Sequence, residues 1–469
     1  MTLGQPRIWL RALSAALLLW GLLAVPAHGE EESKRPWRLE GELQLPDWLS
    51  VSGRQRVRFE NLSPQYRSTL TGSDQVLAFR TDVTAEATWK RWRAVFEGMD
   101  SRQALADSGS AISASIVNSR ELLQGFIGLD LGTPNAPETE RWVRFGRQTM
   151  DIGSRRLIAR NRFRNTVNAF TGVRTRWDFD NDLQLQAFYV LPVERLPNDA
   201  ASLLENEARY DRESWDQRLW GITVDAPIDD RGTRLELFAF GLREEDNAQR
   251  ETRDRRLITP GFRLRRAPSA GAWDFTVESN IQWGTSSPRT APDSHLEHFA
   301  HQQHIEVGYT LRDRAKTRLL AQFDHVSGDG DPTDQRNGRF DSLWGARRFD
   351  YGPTSIYGPF TCNNLISPGF RLFTHPHPNL QIMFSHRFYW SDSGRDVWRP
   401  WGLVDPTGES GRYLGAQPEI RFRWEAVPEN LRLELGLAHL FPGRFVHDAP
   451  NSPDPEGPTY VYLQSTLWF

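Results

Sequence analysis

The sequence has only one cysteine, Cys362, in 469 residues, so the chain cannot form an internal disulfide bond. It is also poor in apolar residues: the mean hydropathy is −0.58, which is too polar for a helical membrane protein. After residue 25, no apolar run approaches the ~20 residues that a transmembrane helix needs. An excess of positive charge is lacking too, since the formal net charge is −3. This balance argues against a nucleic-acid partner.

The N-terminus has the order of features found in secretory signals. Arg7 and Arg11 precede an apolar run at residues 12–25, and a proline and small residues follow at 26–29. Because the run is too short for a retained membrane anchor, we predict cleavage after Gly29. Cleavage removes two arginines and no acidic residue, which changes the formal charge from −3 to −5.

Aromatic residues are abundant, at 12% of the chain, and they are prominent in the final stretch, residues 459–469. This stretch alternates between an apolar face (Val461, Leu463, Leu467, Phe469) and a more polar face (Tyr462, Gln464, Thr466). Such alternation is typical of a strand between lipid and water. Outer-membrane β-barrels commonly end on an aromatic-terminated strand that closes the barrel. The alternative, from this stretch alone, is the last strand of a soluble β-sandwich.

The same alternation recurs along the chain and is clearest at residues 273–283. About 18 strands are predicted, and the least regular are at 141–147 and 369–374. A propeller would show an internal repeat, and a sandwich would need fewer strands. Short connections alternate with long ones. The predicted fold is therefore all-β: a single antiparallel transmembrane β-barrel with short periplasmic turns and long extracellular loops.

This interpretation divides the chain into a signal peptide at 1–29, a short periplasmic segment at 30–48 and an outer-membrane barrel at 49–469. The periplasmic segment is too short for the plug of an energy-coupled receptor, so an open aqueous lumen is expected. The expected location is the outer membrane of a Gram-negative bacterium. The expected partners are outer-membrane lipid and, through the C-terminal strand, the barrel assembly machinery.

Arginine is frequent at positions predicted to face the lumen. Guanidinium groups bind carboxylates in a bidentate way and stay charged near neutral pH, which suits a passage for polyanions. The alternative is that lumenal acids, such as Glu60, Asp82 and Glu434, simply balance them. The inward strand positions are Arg54, Arg56, Arg58, Arg80, Arg144, Arg174, Arg176, Arg387, Arg421 and Arg423.

A polar excursion at 148–168 adds five arginines within ten residues, which repel one another unless an anion lies among them. Three motifs frame it: Arg144-Phe145-Gly146-Arg147-Gln148, Arg156-Leu157-Ile158, and Asn165-Thr166 with Phe170 and Gly172-Val173-Arg174. A further motif reads Val326-Ser327-Gly328-Asp329-Gly330-Asp331-Pro332, followed by Asp334 and Phe340-Asp341-Ser342-Leu343. Together they resemble the alginate export family of outer-membrane proteins over residues 48–469.

The resemblance implies a monomeric 18-stranded porin that passes alginate, or a related polyuronate, through an arginine-lined constriction. By motif, it carries that role onto Arg144, Arg160, Arg162, Arg174, Arg421 and Arg423. Strand parity alone adds Arg54, Arg56, Arg80 and Arg176. Export is the favoured direction, with an anionic polysaccharide as cargo and separate periplasmic export proteins as partners. The alternatives are a diffusion porin for small sugar acids or other anions and, from another class, a barrel enzyme or adhesin. We predict no enzyme, because no nucleophile motif is present.

Two clusters contain residue types that can bind metal ions. His295, His298, His301 and His304 recur at every third residue, and we expect them in a solvated external loop, because on a strand they would alternate faces and could not converge. Asp329, Asp331 and Asp334 are candidates for calcium in an extracellular loop, although the glycine and closing glutamate of an EF-hand are missing. No cofactor is predicted.

Overall fold

The computed structural model describes residues 36–132, 140–246, 251–288, 295–453 and 456–469. The predicted signal peptide lies outside these residues. Trp37–Phe469 forms one compact unit. In the described part of the chain, no helix is both long and apolar enough to cross a membrane.

Eighteen long strands form a single antiparallel sheet that closes on itself, as the alternating pattern predicted. Closure is direct: the first strand pairs with the last, with Arg54 opposite Trp468 and Ser63 opposite Thr459. The barrel strands are β1 (Leu49–Ser63), β2 (Asp74–Trp89), β3 (Trp92–Ala104), β4 (Asn118–Asp130), β5 (Arg141–Gln148), β6 (Phe170–Asp178), β7 (Gln184–Pro192), β8 (Gln217–Pro227), β9 (Thr233–Glu244), β10 (Arg256–Arg266), β11 (Trp273–Ser286), β12 (Leu296–Thr310), β13 (Arg318–Val326), β15 (Leu365–His377), β16 (Leu380–Trp390), β17 (Tyr413–Val427), β18 (Leu431–His439) and β20 (Thr459–Trp468).

Short elements supplement the barrel wall. Two strands of two residues, β14 (Arg336–Asn337) and β19 (Phe441–Pro442), pair with β12 and β17. The described helices span only four or five residues each: Leu39–Leu43, Ala200–Leu204, Arg348–Tyr351 and Arg444–Asp448.

The two faces of the wall differ as the alternation predicted. On β11, Trp273, Ile281 and Trp283 are exposed on the outer face, whereas Asp274 and Gln282 are buried on the inner face. An outer apolar band and a polar interior are what a strand between lipid and a lumen requires.

The two ends of the barrel also differ. The turns at one end are short, such as Lys90–Arg91 between β2 and β3, and the other end carries the long loops. The segment before β1 docks at the short-turn end, where the Trp37 N–H donates to Asn430 Oδ1 at 2.9 Å.

The least regular predicted strands are present, as β5 and as part of β15. The prediction of an external loop for the histidine segment is wrong, because β12 begins at Leu296 and His298, His301 and His304 are part of the wall. Its paired neighbour β11 explains the difference: backbone hydrogen bonding continues up to the Ser286–Leu296 pair, which the side-chain pattern of the segment does not reveal.

Side chains of the loop 327–364 pack against aromatic side chains of the strands at the long-loop end of the lumen. The rings of Tyr357 and Tyr460 stack with centroids 5.0 Å apart, and Phe360 stacks on Tyr389 at 3.4 Å. All four side chains are buried. The packed core of the molecule therefore lies inside the barrel at this end.

Candidate functional site

A loop folded into the barrel is the main feature of the lumen. It comprises residues 149–169, between β5 and β6, and is called the inner loop here. Its residues Ile152, Leu157 and Ile158 are buried, and Ile158 forms a parallel β-bridge with Trp344 of the loop 327–364. Two loops from distant parts of the sequence are thus joined within the lumen.

Arginines of the wall hold the backbone of the inner loop. Arg56 donates to the carbonyl oxygens of Arg162 and Arg164 at 3.0 and 2.7 Å. Arg58 Nη1 donates to the Phe163 carbonyl at 2.6 Å, and Arg80 Nη1 donates to the Arg164 carbonyl at 3.2 Å. Each guanidinium offers five donors in a fixed fork, so three side chains can hold a turn of irregular backbone in place.

A single amide completes this attachment. Asn165 is fully buried; its Nδ2 donates to the carbonyl oxygens of Ile116 and Phe79 at 2.7 and 2.9 Å. Its Oδ1 accepts from Arg56 Nη2 at 2.9 Å. Both polar atoms of Asn165 therefore bridge the inner loop to the wall and to the loop before β4.

The predicted lining residues Arg56 and Arg80 therefore hold the inner loop against the wall. Both are almost completely buried, and their guanidiniums face loop carbonyls rather than an open passage. Arg80 Nε also lies 3.1 Å from Asp82, which pairs with Arg54 as well. The alternation of side chains along the strands predicts that both face inward. It does not predict the loop that covers them.

On the short-turn side of the inner loop lies a cavity of about 500 Å³, called the vestibule here. Arg160 and Arg162 reach it from the inner loop, and Arg54 reaches it from β1. Arg160 pairs with Glu97 at 2.5 Å and Arg162 pairs with Asp151 at 3.1 Å. The vestibule therefore has a mixed lining in which these arginines are matched by acids.

The wall at β5 and β6 has a different charge pattern. Arg144 and Arg174 are cross-strand neighbours, and the Arg144 guanidinium lies 3.8 Å above the Trp142 ring. Arg174 Nη2 donates to Gln186 at 2.8 Å. Among the described residues, neither arginine has a carboxylate within ion-pair distance, whereas Arg176 pairs with Asp178 at 2.9 Å.

Arg421 is another wall arginine without an acidic partner among the described residues. It lies on β17 and donates to Gln381 at 3.2 Å, while its neighbour Arg423 pairs with Glu434 at 2.8 Å. The predicted arginines thus divide into those matched by acids (Arg54, Arg80, Arg160, Arg162, Arg176, Arg423) and those that are not (Arg56, Arg144, Arg174, Arg421).

Three arginines outside the predicted set, Arg164, Arg195 and Arg347, also lie together in the structure. These side chains come from three separate loops and line one further cavity of about 270 Å³. Arg164 belongs to the arginine-rich excursion and could have been included on that ground. Arg195 and Arg347 carry no pattern that would have indicated them.

The two metal candidates are dispersed in the structure. His298 and His304 are buried on the inner face of β12, and His301 lies on the other face against His325. Asp331 accepts a hydrogen bond from the Thr333 N–H within its own turn. Across the described residues, no three His, Cys, Asp or Glu side chains gather closely enough to hold one metal ion.

Comparisons with known proteins agree with this architecture. A model of the alginate export family matches residues 47–456. No curated protein sequence matches this chain.

Solved porin structures share the fold at low identity. A BenF-like porin from Pseudomonas fluorescens Pf-5 is 11% identical with a TM-score of 0.59, and covers 90% of this chain and 99% of its own. OccK5 (OpdH) of Pseudomonas aeruginosa is 11% identical with a TM-score of 0.58, covering 90% and 98%. OpdK of the same organism, solved with vanillate, is 11% identical with a TM-score of 0.57 and covers 90% and 98%. At this identity the likeness concerns the fold alone.

Proposed function

The chain belongs to the alginate export family and is an outer-membrane β-barrel channel, and from that premise we propose that it passes an anionic polysaccharide, alginate or a related polyuronate. The family and the porin-like fold point to a transport channel rather than an enzyme. We further propose that it acts as a monomer in the export direction, and that it works with separate periplasmic export proteins. The proposed transport needs no cofactor.

One observation carries the proposal: Arg144, Arg174 and Arg421 face the lumen without a carboxylate partner among the described residues. A guanidinium that already binds an acid has little to offer a passing carboxylate, because its fork is occupied. A guanidinium held only by an amide or an aromatic ring keeps donors free for a uronate. These three positions are therefore the proposed contacts with the polymer, with Arg174, at 9% exposure, the least accessible of the three.

The test is single-channel recording in planar bilayers with defined oligouronates as blockers. Oligouronate should block the parent channel at a lower concentration than a neutral glucan of equal length, since only uronate carboxylates can pair with guanidinium. The double substitution Arg144→Gln and Arg174→Gln should remove most of this difference. Arg231→Gln, in the exposed turn after β8, is the matched control and should keep it.

A second candidate is a diffusion porin for small sugar acids or other anions. The modest volumes of the vestibule and the 270 Å³ cavity favour it, as does the fold likeness to OpdK, a porin solved with vanillate. Equal block by oligouronate and glucan, combined with anion-selective current, would support this candidate and reject the polymer.

A further inference from the structure

The cavity of about 270 Å³ beside the inner loop, called the arginine cavity here, is built by three loops. Arg164 comes from the inner loop, Arg195 from the loop 193–216 and Arg347 from the loop 327–364. At ~30 Å³ per water molecule, the cavity holds roughly nine waters. It is therefore large enough for a small anion with a few waters and too small for a folded stretch of polymer.

The three guanidiniums are poorly neutralised. Arg164 makes no hydrogen bond or ion pair through its guanidinium to any described residue. Within the described ranges, Arg195 Nη1 reaches only Asn168 Oδ1, at 3.2 Å, and Arg347 Nη2 reaches only the Gly358 carbonyl, at 3.4 Å. Arg347 Nε is buried without a partner in the described part of the chain. Several strong donors thus face this cavity unused.

Acidic groups nearby do not compensate for these charges. Arg156 also lines the cavity, but it is already bound by Asp350 and Glu278 at 2.9 Å each. The carboxylate that acts on Arg195 is Asp211, which accepts hydrogen bonds from the Leu196 N–H and from Asn118. Burial, and then the charges of Arg347 and Arg195, lower the pKa of Arg164 to about 9. Arg164 therefore still carries its charge at neutral pH.

Three like charges in a protein interior repel one another strongly, because the effective dielectric constant is low. A buried charge of this kind requires a partner. Guanidinium groups only donate hydrogen bonds, so the partner must be an acceptor with negative charge, and their planar forks match the oxygens of a carboxylate or a phosphate.

We propose that the arginine cavity binds one small oxyanion, a carboxylate or phosphate group, and that the bound anion joins the loops 149–169, 193–216 and 327–364. The anion would stabilise the position of the inner loop in addition to the Arg56 and Arg58 contacts. This inference does not depend on which polymer crosses the channel. The oxyanion has two sources, free phosphate or the carboxylate of a uronic acid, which the experiment separates.

The experiment is calorimetric titration of the full chain in detergent with inorganic phosphate, with galacturonate and with glucose. The parent should bind phosphate or galacturonate saturably and should not bind glucose. Arg164→Gln and, separately, Arg347→Gln should each weaken binding about tenfold or more, because each removes a charged hydrogen-bond donor. Arg209→Gln is the control: it lies on the loop 193–216 and pairs with Asp199 and Glu207 outside the cavity.

Heat-modifiable migration on gels checks that each variant is folded. Two separate cavity variants are used so that the test still works if one of them does not fold. Tighter binding of phosphate would identify a free anion as the source, and tighter binding of galacturonate would identify the uronate. The proposal is overturned if the parent binds neither anion, or if both cavity variants bind with the affinity of Arg209→Gln.

Discussion

Removing the Asn165 amide should release the inner loop from the barrel wall. Asn165→Ala deletes the two amide N–H donors, which reach the carbonyl oxygens of Phe79, Arg102 and Ile116, and the acceptor of one bond from the charged Arg56. At about 1 kcal/mol for each of the two N–H donors and about 1.5–3 kcal/mol for the charged bond, the loop loses roughly 3.5–5 kcal/mol of local stability. The strands keep their own hydrogen bonds, so the barrel itself should remain folded.

Hydrogen exchange followed by mass spectrometry measures this loss directly. Since 1.4 kcal/mol is a factor of ten in an equilibrium constant, amides of residues 149–169 should exchange at least about a hundredfold faster, with the strands unchanged. Larger and more variable single-channel currents should accompany the change. Both follow from the loop leaving the lumen.

A control of the same residue type lies in the same loop. The Asn161 side chain is buried, but its amide has no hydrogen-bond partner among the described residues. Its φ of 60° is in the left-handed region, so glycine is the suitable replacement. Asn161→Gly should change exchange little. Equal exchange in Asn165→Ala, Asn161→Gly and the parent would refute the argument that these bonds hold the loop.

Three further predictions concern the wall, the lumen and an outer loop. Ile281→Arg, on the exposed face of β11, should hamper assembly by about 2–4 kcal/mol near the bilayer midplane, whereas Thr276→Arg, on the inner face, should be tolerated; heat-modifiable migration distinguishes them. Replacing Arg421 and Arg423 together by Glu should reduce or invert anion preference in the reversal potential, with the effect shrinking at high salt; a cation-selective parent would contradict it. Burial, and then Glu121, raise the pKa of Asp211 to about 7. The native state therefore holds a proton that the unfolded chain has lost. The free energy of opening the loop 193–216 should consequently decline as pH rises from about 4 to 7. Exchange in residues 193–216, corrected for intrinsic rates, should follow this decline, and Asp211→Asn should flatten it.

The wall of the barrel could be predicted from the sequence because strand alternation is a local property. Trp273 and Asp274 point to opposite faces because successive side chains of a pleated strand alternate. The same alternation predicts that Arg56, Arg80, Arg144 and Arg421 face the lumen. Resemblance to the family gave the same architecture independently. The predicted bounds 141–147 and 273–283 differ from those of β5 and β11 by one and three residues, in each case at the end of the strand.

The contents of the lumen were decided by tertiary structure. Whether Arg80 faces a passage or the carbonyl of Arg164 depends on where a distant loop folds, and no local pattern encodes that position. His298 became part of the wall because the paired strand β11 extends its hydrogen bonding beyond the alternating stretch. Arg195 and Arg347 lie far apart in sequence and meet in one cavity only because two long loops enter the barrel. Sequence periodicity determines which face a strand residue occupies, whereas charge pairing depends on contacts between segments that only the closed barrel brings together.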